Sequence, residues 1–217
     1  MCKSITISSA SKNKKIMIKA EVTVCGTISR IAAVRNGKEG RQFVSFGIQT
    51  VVKAKSGINK TIDISVAKDY VEGEDTGVIR QGTRIEVKGT LTFRKKGEAL
   101  YLNMEASDIS LENVSGEDSI VGNLHFLGKA SKNVEVKTTK KGDSFIVFSG
   151  FSTSKEDENF EYIWVRFVQF ETERPEWLAD KTPIDVKGTL ELCVYNDKLE
   201  IGCRVNELKP WEKEQQQ

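Results

Sequence analysis

Thr83-Arg-Ile-Glu-Val-Lys-Gly-Thr-Leu91 recurs as Thr182-Pro-Ile-Asp-Val-Lys-Gly-Thr-Leu190, 99 positions later. The register continues without a gap, so that Leu100, Leu102, Met104, Ala106 and Ile109 fall on Leu199, Ile201, Cys203, Val205 and Leu208. Upstream the spacing is 102: Gly26, Gly40, Phe43, Val44 and Phe46 fall on Gly128, Gly142, Phe145, Ile146 and Phe148. A long-period repeat of this kind means that one structural unit is built twice. The sequence divides into an N-terminal arm (1–16), a first unit (17–111), a short polar linker (112–119), a second unit (120–210) and a tail (211–217). A linker of that length holds the two units near one another.

Within each copy the apolar period is two, the mark of strands with one buried face. Ile85, Val87, Leu91 and Phe93 alternate with Glu86, Lys88, Thr90, Thr92 and Arg94. The turn Lys95-Lys-Gly-Glu98 follows, and then Leu100, Leu102 and Met104 alternate with Tyr101, Asn103 and Glu105, which predicts a hairpin. Earlier strands are expected over 18–34, 42–52 and 60–68. Residues 69–81 break the alternation and are expected to form one short helix, as are residues 171–180 in the second copy, where Pro175 suits a first turn. Five strands with a helix between the third and fourth make a small Greek-key barrel, the oligonucleotide-binding or OB fold. The expected fold is all-β with one short helix per domain: two tandem five-stranded Greek-key OB barrels.

The 217 residues are 38% hydrophobic, 29% charged and 8% aromatic, a composition that predicts globular structure rather than disorder. No apolar run is long enough to span a bilayer and residues 1–11 lack the apolar core of a signal peptide, so a cytoplasmic location is expected. Cys2, Cys25, Cys193 and Cys203 have no metal-binding spacing, and with a single histidine, His125, they predict reduced thiols, no metal and no cofactor. One histidine also removes most routes to acid–base catalysis, and no nucleotide loop, triad or fixed carboxylate pair is present, so an enzyme is not expected.

The formal net charge of +2 conceals an asymmetry. Residues 1–113 hold 19 Lys and Arg against 12 Asp and Glu, or +7, whereas residues 114–217 hold 14 against 19, or −5. A basic field concentrates polyanions, which favours the first copy as the phosphate-contacting half.

Three segments carry a resemblance to the bacterial and phage single-stranded-DNA-binding proteins of the SSB type: Arg80-Gln-Gly-Thr-Arg-Ile-Glu-Val-Lys-Gly-Thr-Leu-Thr-Phe-Arg94, Val24-Cys-Gly-Thr-Ile-Ser-Arg30 and Gly40-Arg-Gln-Phe-Val-Ser-Phe-Gly-Ile48. With their second-copy counterparts, the resemblance extends over about 185 of the 217 residues. The resemblance implies non-catalytic, largely sequence-independent binding of single-stranded DNA in replication or recombination of a bacterial, phage or plasmid genome. It also implies a tandem arrangement in which a homodimer supplies four barrels. The chain closes on Lys209-Pro-Trp-Glu-Lys-Glu-Gln-Gln-Gln217 rather than on the family's Asp-rich tail, so tail-mediated partners are not expected.

Binding a single strand requires cations along its phosphates and rings on which its bases stack. In an OB barrel these lie across strands two and three and on the flanking loops. The first copy is cation-rich there, with Arg35, Lys38, Arg41, Lys53, Lys55, Lys60, Lys88, Arg94, Lys95 and Lys96, and has Tyr101 as its main outward ring. Phe43 and Phe46 are read as core. In the second copy alternation buries Ile163, Val165 and Phe167 and turns Tyr162, Trp164 and Arg166 outward. Lys140 and Lys141 offer phosphate contacts, while Glu156, Asp157 and Glu158 repel phosphate. By resemblance, Trp164 and Tyr195 match stacking positions. Exposed rings also serve association, so an interface role for Tyr162 and Trp164, a protein-binding module and RNA binding all remain open at this point.

Overall fold

A computed structural model describes residues 17–37, 40–54, 57–156, 159–171 and 173–212. Ten strands are present: β1 (Ile18–Asn36), β2 (Gln42–Val52), β3 (Lys60–Asp69), β4 (Arg84–Lys96) and β5 (Ala99–Ser110), then β6 (Ser119–Thr138), β7 (Ser144–Glu156), β8 (Asn159–Gln169), β9 (Pro183–Tyr195) and β10 (Lys198–Pro210). β1 pairs antiparallel with both β2 and β4, β3 runs parallel to β5, and β5 pairs with β4, so the first five strands close on themselves. β6 to β10 repeat the same closure. These are two five-stranded OB barrels.

Alternation places Ile62, Ile64, Val66, Ile85, Val87, Leu91, Leu102 and Met104 inside the first barrel, around Phe46. Phe148 occupies the matching place in the second, stacked on Phe167 with 4.9 Å between centroids. The glycine retained in both copies of the repeat has a steric cause. A Cβ on Gly89 would lie 2.1 Å from the Glu105 carbonyl oxygen, and one on Gly188 would lie 2.0 Å from that of Arg204. Burial pushes the Cys203 thiol up to about 12 and raises Cys25 as well, so both stay protonated.

The two expected helices are corrected. Between β3 and β4 the described chain makes only a 3-10 turn, Thr76–Val78, capped by the Asp75 carboxylate, which accepts from the Gly77 N–H at 2.8 Å. Gly73 and Gly82 flank it at positive φ (85° and 84°), and such glycines interrupt a helix at its ends. In the second barrel no helix is present among the described residues of 171–180. The Arg174 side chain donates to the Leu178 carbonyl, and Pro175 accepts from the Leu178 N–H at 3.0 Å, closing a turn instead. The core-sealing task of a helix falls to single side chains, Ile79 and Leu178, both buried.

Two features hold the barrels together. Ile18 to Cys25 of β1 pair antiparallel with Phe126 to Ser119 of β6, so the sheet runs unbroken from one barrel to the other. Glu21 faces Asn123, its own equivalent at spacing 102, which places a pseudo-twofold axis at that pair. His125 lies in this seam opposite Lys19, its Nε2 2.9 Å from Asp185 Oδ1.

The second feature is the tethering of residues 115–118. Arg84 donates to the Ser115 and Glu117 carbonyls (both 2.9 Å) and is ion-paired with Asp118, which also accepts from the Val51 N–H at 2.8 Å. The equivalent position in the second copy is Pro183, the one clear break within the nine-residue segment that recurs. Its carbonyl instead accepts from the N–H of Trp211, beyond the last strand. Arg84→Ala should lower stability by about 1.5 kcal/mol, because it leaves a partly buried carboxylate and two carbonyls without their charged donor. A thermal melt unchanged from wild type would contradict this.

Candidate nucleic-acid interface

A cleft of about 1310 Å³ lies between the barrels and receives the outward faces of both third strands. β3 contributes Thr61, Asp63 and Ser65; β8 contributes Tyr162, Trp164 and Arg166. Alternation explains both sets, since their neighbours Ile62, Ile64, Ile163 and Val165 are buried.

Seven of the residues singled out from sequence line this one cleft: Lys60, Lys95, Tyr101, Tyr162, Trp164, Arg166 and Tyr195. Four exposed rings line it, Tyr101, Tyr162, Trp164 and Tyr195, 45–58% exposed and presenting large apolar surfaces to solvent. Phe151 on β7 pairs with Trp164 on β8, their ring centroids 5.0 Å apart, and Tyr162 is 5.9 Å from Phe151.

The other candidates lie elsewhere. Arg35, Lys53, Arg94, Lys96, Lys140 and Lys141 are exposed but do not line the cleft. Lys88 is within 3.8 Å of both Glu86 and Asp108 on the outer surface, and Arg41 is ion-paired with Asp69. Lys38 and Lys55 fall outside the described residues. Phe46 is core, as expected, while Phe43 is only half-buried.

Sequence reasoning missed Arg30, Lys137 and Lys198, which also line the cleft. Lys198 was hidden by its place just past the turn. Arg30 sits where the β1 register slips against β2, so counting along the strand misassigns its face.

The β4–β5 and β9–β10 hairpins meet across the cleft. The second turns on Asn196 and Asp197, both at positive φ (48° and 58°), as a two-residue hairpin turn requires. Its Asp197 carbonyl accepts from Lys60 Nζ at 2.6 Å, and the Gly97 N–H of the first hairpin donates to Glu161 Oε1 at 3.1 Å. Lys60 and Glu161 occupy matching places at the starts of β3 and β8, so each hairpin leans on the other barrel's third strand. Lys198 Nζ bonds Glu98 Oε2 at 2.7 Å between them. That bond holds the Glu98 carboxyl below the usual carboxylate range and raises Lys198. Lys137 is paired in the same way with Glu135 at 2.9 Å. The cleft thus combines rings, cations and carboxylates. No group of His, Cys, Asp and Glu suited to a metal ion occurs among the described residues.

No family model and no curated protein matches the sequence. Among solved structures, the chain is similar to the wild-type single-stranded DNA binding protein from Thermus aquaticus, with 14% identity, 89% of this chain and 93% of that chain covered, and a TM-score of 0.47. It is also similar to the small single-stranded DNA-binding protein from Streptomyces coelicolor, with 18% identity, 43% of this chain and 94% of that one covered, and a TM-score of 0.33. A Plasmodium falciparum SSB in complex with single-stranded DNA matches at 19% identity over 45% of this chain and 100% of that one, with a TM-score of 0.34.

Proposed function

We propose that this chain binds single-stranded DNA without catalysis and largely without regard to sequence, serving replication or recombination of a bacterial, phage or plasmid genome. The observation that carries the reading is the convergence of four exposed rings with Arg30, Lys60, Lys95, Lys137, Arg166 and Lys198 on one cleft. Rings offer each base about 1–3 kcal/mol of stacking, and the cations release counterions from the phosphates they meet. One strand lying in the cleft contacts both barrels, and the covalent connection makes the second contact intramolecular. Association of two chains into a four-barrel dimer belongs to the same reading. The first-strand edge is already paired by β6, so such a dimer is built on other surfaces.

Anisotropy of a labelled oligo-dT should report saturable binding at low salt that is lost by about 1 M NaCl, with log affinity falling by about 0.7 per phosphate contact for each decade of salt. Replacing Lys60, Lys95 and Arg166 together by Ala should make that slope shallower by about two. Absence of any binding at low salt refutes the reading.

A further inference from the structure

We propose that the second barrel carries a base-reading subsite beside Trp164, suited to guanine. The inference rests on the single-strand reading above and adds to it a preference that the cleft alone does not supply.

A side concavity opens off the cleft, lined by Phe151, Trp164, Lys132, Asn133, Asp180 and two serines. Trp164, Asn133 and Ser149 line both spaces, so the indole stands at the junction and a strand in the cleft can turn one base into the concavity. Phe151 and Trp164 supply the stacking wall, 5.0 Å apart and inclined at 45°. The remaining wall is polar, with the oppositely charged Lys132 and Asp180 beside Asn133 and the serines.

That wall is chemically selective. A carboxylate accepts two parallel hydrogen bonds from adjacent donors, and guanine is the one DNA base whose Watson–Crick edge sets two donors side by side, N1–H and N2–H. Its O6 and N7 are acceptors suited to a lysine ammonium such as that of Lys132. Thymine offers a single donor flanked by carbonyls, so it leaves the Asp180 carboxylate facing an oxygen. Guanine also presents the larger purine face to Trp164.

The first barrel has no counterpart. Through the repeat, Trp164, Phe151, Asn133 and Asp180 correspond to Asp63, Gln49, Ile31 and Gln81. The rings and the carboxylate are absent together, so one chain holds one such subsite.

The test uses oligo-dT hosts in which every third thymidine is replaced by dG, dA or dC, isolated guanines being spaced to avoid self-association. The full chain should bind the dG host at least fivefold tighter than pure oligo-dT and than either other host. Asp180→Ala should reduce that preference to below twofold while leaving oligo-dT affinity within twofold of wild type. Equal affinity for all four overturns the subsite while leaving single-strand binding intact. Equal gains from dA and dG would mean stacking area alone, and a preference that survives Asp180→Ala would place base reading elsewhere; either result overturns the proposal. No binding of any host refutes the proposed function itself.

Discussion

Gly122→Val is expected to cost about 3 kcal/mol or more of stability and to abolish the shared cleft. Gly122 lies in the seam opposite Val22, where a Cβ would sit 2.0 Å from the Glu21 carbonyl oxygen and 2.7 Å from the Val22 Cα. Both are backbone atoms of β1, so no rotamer change relieves the clash and the two strands must part. Parting exposes Ile18, Ala20, Val22 and Leu124, all buried at the seam, and leaves two unpaired strand edges. Chemical denaturation should show a lower midpoint, and the same variant should lose oligo-dT binding because the third strands no longer face one space. Wild-type stability would mean that the barrels do not depend on this seam.

Trp164→Ala is expected to weaken oligo-dT binding by about 1–3 kcal/mol, roughly five- to 150-fold, with little change in salt slope. The indole is half-exposed, braced by Phe151, and carries no charge, so its loss removes stacking without altering counterion release. Trp177 and Trp211 are only partly exposed and do not line the cleft, so any change of tryptophan fluorescence on adding oligo-dT should report mainly on Trp164. Unchanged affinity accompanied by a changed molecular mass would instead make Tyr162, Phe151 and Trp164 a protein interface.

The strands were legible because each is a local pattern. Alternation alone placed Tyr162, Trp164 and Arg166 on one face and Ile163, Val165 and Phe167 on the other, as the structure has them. The turns that stand in place of the two expected helices were not legible, because residues 69–81 and 171–180 are marked only by the loss of the strand pattern. Their chains are held by particular bonds, Asp75 to the Gly77 N–H and Arg174 to the Leu178 carbonyl, that no periodicity announces.

The cleft itself was hidden for a different reason. It depends on the β1–β6 register and on contacts such as Lys60 with Asp197, 137 residues apart. Counting charges per half gave the first copy the field, yet it did not reveal that Asp197 and Glu98 reach across the cleft to Lys60 and Lys198, each in the other barrel. The aromatic bracing of Trp164 by Phe151 was within reach of the sequence, since it follows from the antiparallel pairing of β7 with β8.

One DNA strand is expected to occupy the one cleft shared by both barrels. Photo-cross-linking of an oligo-dT carrying halogenated uridines, followed by peptide mass spectrometry, tests it most directly. In a complex of one chain with one oligonucleotide, cross-links are expected on Tyr101 of the first barrel and on Tyr162 or Trp164 of the second, joined to the same strand. Cross-links confined to one barrel, or to residues outside the cleft, would contradict the account.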